Sequence, residues 1–464
     1  MNDIPAAVAA GDMSFLADDA LQEWTVAQRW FGSKAREVAH LNVLDAVALR
    51  RDPPLLVLAL VEARFPTGTH ELYQVPLGLR PADEGWADRK ILDADGWTLY
   101  DALADPAHAR SLLHLMRASE DVGGQDGTLR FRWAESAGAA IGGTVEVRPM
   151  GVEQSNSSVV FGDSVVMKAF RRVEAGVNPE LELLRFLSAR GFPHIAPLYG
   201  WYEYEGRLMD ATLGILQEFL AGGRDGWEHA LADLEGFLGD VDDLGRATGE
   251  MHSALGSDST DPDFAPEEPS TESLSLLVAT IDEEIDRIFV DLPESEALAP
   301  IAGRGQDVRE RLKMLANIGA GGRVIRTHGD YHLGQTMLTD RGWVILDFEG
   351  EPARSLSERR MKRSPLRDVA GMLRSFSYVS AAAEQLGGTT PASDWEERAR
   401  SAFLASYYAA VDSSLLPPGQ DPTHRLLSVF ELEKAVYELR YELNNRPDWV
   451  GIPVAGIVRL LEDA

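Results

Sequence analysis

At 464 residues, with 45% apolar and 25% charged side chains, the chain is long enough for two or three domains that each bury a core. Forty-four Lys plus Arg against 74 Asp plus Glu leave a formal charge of -30, a surface that repels nucleic-acid backbones and anionic membranes. Cysteine is absent, which excludes disulfides, thiolate chemistry and Cys-ligated zinc. The start Met1-Asn-Asp-Ile-Pro is a poor signal peptide and no 18-residue apolar run appears, so a soluble cytoplasmic protein is expected.

Residues 14–30 pattern as a helix anchored by Leu16, Leu21, Trp24 and Trp30. Strand-like segments follow at 43–49, 55–64 and 70–76. The second is continuously apolar and reads as a buried strand, whereas the third alternates well enough for a sheet with one face in water. Residues 97–104 open another unit, with an amphipathic helix at 107–118. A strand at 144–148 and a polar turn at 151–157 precede a hairpin, 158–161 with 165–170, bent at Gly162-Asp163. Asn178-Pro179 supplies a helix N-cap and the residue preferred at the first helical position. A strand at 215–220 runs into Gly222-Gly223.

The remainder reads mostly as helix: 231–252, a face carrying Leu277, Ile281, Ile285 and Ile288, then 307–318, 365–386, 395–413 and 423–445. An acidic, Pro- and Ser-rich loop occupies 256–270. The expected class is α+β, with a cap subdomain at 1–90, an intermediate nucleotide-binding subdomain at 91–220 and a helical lobe at 221–464. No heptad or isolated apolar element dictates an interface, which leaves a monomer or weak homodimer.

The chemistry concentrates in His328-Gly-Asp-Tyr-His-Leu-Gly-Gln335 and Val344-Ile-Leu-Asp-Phe-Glu349. Apolar runs that stop at Asp330 and Asp347 anchor two carboxylates in a core while aiming them at a cleft. Phosphoryl transfer needs an oriented acceptor oxygen, a base and cations on the phosphates. Asp330 is the candidate base; Asp347 and Gln335 are candidate magnesium ligands, since magnesium prefers oxygen donors. Either aspartate alone reads equally well as a turn or helix cap. His328 and His332 read as braces of the loop more readily than as a metal site.

Lys168, at the end of an apolar strand, is the candidate partner of nucleotide phosphates, against the simpler reading of a surface lysine beside Arg171-Arg172. Glu180 and Glu182 both qualify as its counter-charge, and their spacing allows only one of them to face it. Ser155, Asn156 and Ser157 offer amides and side chains to phosphate oxygens. Gln217-Glu-Phe219 reads as a hinge whose backbone can meet adenine. For an acceptor, Asp330, His332, Glu349, Glu351, Tyr437, Tyr441, Glu442 and Arg446 supply the carboxylates, amphipathic rings and donors that sugars require. The tyrosines also fit as core packing. A nucleotide-binding protein without catalysis is the other functional class.

Together these motifs resemble the aminoglycoside phosphotransferase and choline kinase-like superfamily, which implies a protein kinase-like two-lobed fold using ATP and Mg2+. That superfamily uses Asn where Gln335 stands. The substitution, with Gln28-Arg-Trp-Phe-Gly-Ser-Lys34, Asp347-Phe-Glu-Gly-Glu-Pro352, Ser364-Pro-Leu-Arg-Asp-Val-Ala370 and Tyr441-Glu-Leu-Asn-Asn-Arg-Pro447, is similar to bacterial maltokinases. The resemblance implies phosphorylation of maltose at its anomeric hydroxyl to maltose 1-phosphate for α-glucan synthesis, with coupling to separate trehalose or glucan enzymes. Related kinases of the same architecture phosphorylate glucosamine, which is the alternative acceptor.

Overall fold

The computed structural model describes residues 4–462 apart from 17, 83–85, 87–88, 138–145, 151–155, 208, 318–320 and 386–390. Its chain divides into two units, Met1–Ala189 with Ala196–Ala221, and Arg190–Ile195 with Gly222–Ala464. The first opens with helices α1 (Ile4–Ala9) and α2 (Asp18–Ala27). An antiparallel sheet follows: β1 (His40–Arg50), β2 (Leu55–Arg64), β3 (His70–Pro81), β4 (Lys90–Ala94) and β5 (Trp97–Asp101), in the order β1-β2-β3-β5-β4. Residues 97–101, expected to open the next unit, are instead hydrogen-bonded between β3 and β4.

Helix α3 (Pro106–Ala118) begins at Asp105, whose side chain accepts the Ala107 N–H. The second sheet contains β6 (Asp121–Gly123), β7 (Gly127–Trp133), β8 (Val147–Pro149), β9 (Asn156–Phe161) and β10 (Val165–Phe170). Strand β11 (Arg172–Val173) returns to pair with β3, and helix α4 (Pro179–Ala189) precedes β12 (Leu198–Gly206) and β13 (Asp210–Glu218). The sheet order is β6-β7-β12-β13-β10-β9-β8. The predicted hairpin is β9–β10. The turn at 151–155 and the start of the strand expected at 144–148 lie outside the described residues.

Strand β2 is apolar throughout because it serves two cores. Val57, Ala59, Val61 and Ala63 join the cap core with Trp30 and Phe31, while Leu58 and Leu60 join Leu112, Phe131 and Tyr202. The same layering overturns the wet face expected for β3, which is buried from Tyr73 to Leu79. Gln74, the residue that created the alternation, is fully buried. Its Nε2 donates to the Phe170 carbonyl at 2.8 Å and its Oε1 accepts from the Tyr202 hydroxyl at 3.1 Å. Arg171 is a second tie. Its Nη2 donates to Asp101 Oδ2 at 2.7 Å, its Nε to Ser157 Oγ at 2.9 Å, and its guanidinium carbon lies 5.0 Å from the Trp30 ring centroid.

The second unit holds β14 (Arg224–Asp225), α5 (Gly226–Ala232), α6 (Leu234–Leu255), α7 (Thr271–Val290) and α8 (Gly305–Leu315). Strands β15 (Thr336–Thr339) and β16 (Gly342–Ile345) complete a three-stranded sheet, β14-β15-β16. Helices α9 (Leu356–Arg359), α10 (Leu366–Gln385), α11 (Trp395–Ala410), α12 (Gln420–Asn445) and α13 (Gly451–Glu462) follow. Ile281, Ile285, Leu312, Val429, Leu439 and Ile457 pack α7, α8, α12 and α13 into one core. Among the described residues no helix is long and apolar enough to cross a membrane.

His108 on α3 is fully buried, and among the described residues neither ring nitrogen has a hydrogen-bond partner. Burial pushes its pKa down to about 4, against the pull of Asp101 and Asp105. The unfolded chain therefore binds the proton first. Stability from the neutral ring is complete above the free value of 6.5 and is lost as pH falls toward 4. Denaturant titrations from pH 7 to pH 4 should register a loss of ~3 kcal/mol from this residue. His108→Leu should flatten that acid limb; a variant as acid-sensitive as the parent would assign the loss to other groups.

Candidate active site

In the first unit β10 carries Lys168 opposite Ser158 of β9 and Ile215 of β13. Helix α4 starts where Asn178 Oδ1 accepts the Glu180 N–H at 2.8 Å, and this cap sets the phase of the helix. Glu180 Oε2 then lies 2.8 Å from Lys168 Nζ, with the two side chains 2% and 14% exposed. Glu180 is thus the residue that meets Lys168; Glu182, two positions on, is half-buried on another side of the helix. The buried partner holds a long, flexible side chain in one place.

The strand period separates the predicted phosphate contacts. Asn156 shares the face of Ser158 and Lys168, whereas Ser157 points to the other face, where its hydroxyl accepts from Arg171. Ser155 lies outside the described residues. Gln217 pairs with Val166 and Leu198 near the end of β13. The Phe219 N–H donates to the Ser164 carbonyl at 2.9 Å, and Arg148 lies over its ring at 5.4 Å.

In the second unit the loop after Ile325 is held from both sides. His328 is buried, and its Nε2 meets the Leu346 carbonyl at 2.8 Å, so it braces the loop. The His328 and Gly329 amides donate to the two carboxylate oxygens of Asp368 at 2.8 and 3.0 Å. Gly329 has φ +84°, a conformation that a side chain resists. The Tyr331 hydroxyl meets Thr248 Oγ1 at 2.8 Å, and the Leu333 N–H donates to Ser375 Oγ at 3.2 Å. Helix α10 comes so close that a Cβ on Gly371 would fall 2.5 Å from the Tyr331 carbonyl oxygen.

This scaffold leaves Asp330 24% exposed, with His332 Nε2 3.9 Å from its Oδ2. Burial pushes the His332 pKa down, aided by His328 and Lys434 and opposed by Asp330 and Asp347. Asp347 follows β16 with φ +60°, a strained value for a residue with a side chain, and its Oδ2 accepts from Gln335 Nε2 at 3.2 Å. A half-turn of that amide presents its oxygen beside the carboxylate, a pair of hard donors that fits magnesium.

Asp330, Glu351 and Tyr437 line one cleft of about 110 Å³. Glu351 is ion-paired with Arg354 at 2.6 Å, and burial plus Glu351 pushes the Tyr437 phenol pKa up. Glu349 contributes its carbonyl to Arg359 Nη1 at 3.1 Å. Tyr441, Glu442 and Arg446 lie outside this cleft. Glu442 is 1% exposed and accepts from the Tyr378 hydroxyl and from Nε and Nη2 of Arg446 at 2.7–2.9 Å, while Arg446 packs between the rings of Tyr441 and Trp449. This cluster secures the end of α12 and engages both oxygens of Glu442.

An N-terminal α/β region followed by a mostly helical lobe is the α+β architecture of a kinase-like phosphotransferase. The chain belongs to the phosphotransferase enzyme family, whose model matches residues 146–404, and a maltokinase N-terminal cap domain matches residues 24–105. It is an ATP-dependent phosphotransferase with an alcohol group as acceptor and with ATP and Mg2+ as cofactors. A glucosamine kinase of Mycolicibacterium smegmatis is 27% identical over 330 residues, 68% of this chain and 80% of the relative. A solved glucosamine kinase matches with TM-score 0.72 at 20% identity, covering 98% of this chain and 99% of that one. A glucosamine kinase bound to glucosamine, ADP and inorganic phosphate matches with TM-score 0.70 at 20% identity, covering 95% and 98%.

These likenesses overturn the expected maltokinase branch, and with it maltose 1-phosphate and glycogen synthesis as the assigned function. The implied coupling to separate trehalose or glucan enzymes rested on maltose as the acceptor.

Sequence reasoning missed Asp368. Its motif, Ser364 to Ala370, was visible, but no local signal shows that this carboxylate reaches a loop 40 residues earlier. Asp368→Asn puts an amide NH2 where a carboxylate oxygen now accepts a backbone N–H. We expect kcat to fall roughly 10²-fold from a misplaced loop, with KM for ATP nearly unchanged and the circular dichroism melt lowered. Equal losses in kcat and nucleotide affinity would make Asp368 a general fold determinant instead.

Proposed function

We propose that this enzyme transfers the γ-phosphoryl group of ATP to a hydroxyl of glucosamine. The observation that carries this reading is the 27% identity to a curated glucosamine kinase across two-thirds of the chain. A cleft with Asp330, Glu351 and Tyr437 supports it, because a carboxylate accepts from amino and hydroxyl groups while a phenol can donate.

In this reading Asp330 orients the acceptor hydroxyl and takes its proton as the sugar oxygen bonds to the γ-phosphorus. The bond from that phosphorus to the bridging oxygen breaks, and ADP leaves. Lys168, aimed by Glu180, holds the α- and β-phosphates, and Asn156 shares its face. Asp347 and Gln335 would hold magnesium, which supplies charge neutralisation on the phosphates. Burial disfavours the protonated form of His332 and so limits the positive charge beside the base. The reaction draws on cytoplasmic ATP, and the charge of -30 keeps the enzyme off nucleic acids and anionic membranes.

Purified enzyme offered glucosamine, glucose, N-acetylglucosamine and maltose in turn should release ADP and form a phosphosugar chiefly with glucosamine. Turnover of another sugar with none of glucosamine would overturn the proposal. Asp330→Asn should lower kcat by about 10²–10⁴-fold and leave magnesium–ATP binding intact.

A further inference from the structure

The cleft around Asp330 holds more positive charge than its carboxylates take up. Arg354 is paired with Glu351 at 2.6 Å, and Arg367 with Glu433 at 2.5 Å. Glu358 is spent on the capping box of α9, bonding Ser355 through its side chain. Asp368 is occupied by His252 and the two loop amides. Three lining cations remain; Arg359 is engaged through its Nη1 by the Glu349 carbonyl at 3.1 Å, which leaves Arg363 and Lys434. Among the described residues the Arg363 guanidinium has one polar contact, Nη2 to the Glu358 carbonyl at 3.4 Å. Lys434 Nζ lies 5.6 Å from the Tyr437 ring centroid and has no carboxylate partner among the described residues.

Neither cation is placed by accident. Arg363 is tied by its backbone to Ile325 in both directions, at 2.9 and 2.7 Å, three residues before His328. Lys434 stands one helical turn before Tyr437 on α12. Burial, with Arg367 and Arg354 close by, pushes the Arg363 pKa down despite Glu433 and Glu358, as expected for a cation short of counter-charge.

We infer that Arg363 and Lys434 form an anion subsite in the acceptor cleft, so that beside glucosamine the cleft binds sugars that carry an oxyanion, a phosphate ester or a carboxylate, away from the reacting hydroxyl. This rests on the sugar-kinase reading above and extends it to acidic sugars. The planar fork of arginine suits two oxygens of one oxyanion, and the lysine adds a point charge. A half-buried position strengthens both relative to open water. Paired Arg354 and Arg367 flank the subsite and discourage a bare ammonium group at that end of the cleft.

The test compares glucosamine, glucosamine 6-phosphate and glucuronate by calorimetric binding to the full chain and by steady-state turnover. The acidic ligands should bind at least about tenfold more tightly than glucosamine, the phosphate and carboxylate arms showing which oxyanion is taken. Arg363→Gln and Lys434→Gln should each erase most of that difference. Equal affinity for glucosamine and both acidic ligands, or acidic-ligand affinity unchanged in the variants, overturns the subsite. Tight acidic-ligand binding lost in the variants, without turnover of any amino sugar, keeps the subsite and removes the glucosamine proposal. If Arg363→Gln fails to fold, Lys434→Gln decides the same question alone.

Discussion

Two consecutive backbone amides end on one buried carboxylate, and the loop at 328–335 has its shape because of it. Asp368 is 2% exposed, so burial pushes its pKa up. The hydrogen bond and charge of His252, the charge of His328 and the Gly329 amide outweigh that and hold it below the usual carboxylate range. An ionised group at that depth is tolerable only while every oxygen is engaged. Removing one partner from such a buried arrangement costs about 3–5 kcal/mol. His252 Nδ1 in turn meets the Tyr407 hydroxyl at 3.1 Å. Three helices, α6, α10 and α11, therefore share responsibility for where Asp330 points, although none of their residues needs to touch a substrate.

The first unit uses the same device for Lys168. A helix cap at Asn178 sets the rotation of α4, the rotation puts Glu180 against the lysine, and burial makes the pairing selective. Arg171 repeats the logic one strand on, where Asp101, Ser157 and the Trp30 ring take up its charge. The cap motif Gln28 to Lys34 thereby contributes to the geometry of the lysine hairpin. This gives the cap a physical connection to the hairpin without requiring it to carry any chemistry.

Local signals carried the parts of this molecule that have local causes. The β9–β10 hairpin follows from its β-branched runs and Gly-Asp bend, the start of α4 from Asn178-Pro179, and the loop at 328–335 from residues that are unusual in that spacing. Periodicity failed where a strand serves two layers. Gln74 looked like a solvent-facing position, but a buried amide with both its nitrogen and its oxygen hydrogen-bonded is indistinguishable in sequence from an exposed one. The polar end of α12 is the opposite case. Glu442 and Arg446 have the chemistry of a sugar site, yet Tyr378 and Trp449 consume it in packing. Asp368 and Arg363 were silent because their partners lie about 40 residues away in sequence.

The same distinction explains why the phosphate chemistry was easier to read than the acceptor. Phosphoryl transfer places stringent demands on a base, a lysine and a metal pair, and those demands leave short motifs. An acceptor cleft is assembled from α9, α10, α12 and the loop after β16, each supplying one or two side chains with no fixed spacing between them. Its selectivity then depends on which charges remain after internal ion pairs form. Glu351 reads as a ligand in isolation, but it and its neighbour in the cleft, Glu433, are each bound to an arginine, so the residual field of the cleft comes from Arg359, Arg363, Lys434 and Asp330. Counting charged residues in sequence gives nearly balanced signs for this region; only pairing them in space reveals a positive end facing a negative base.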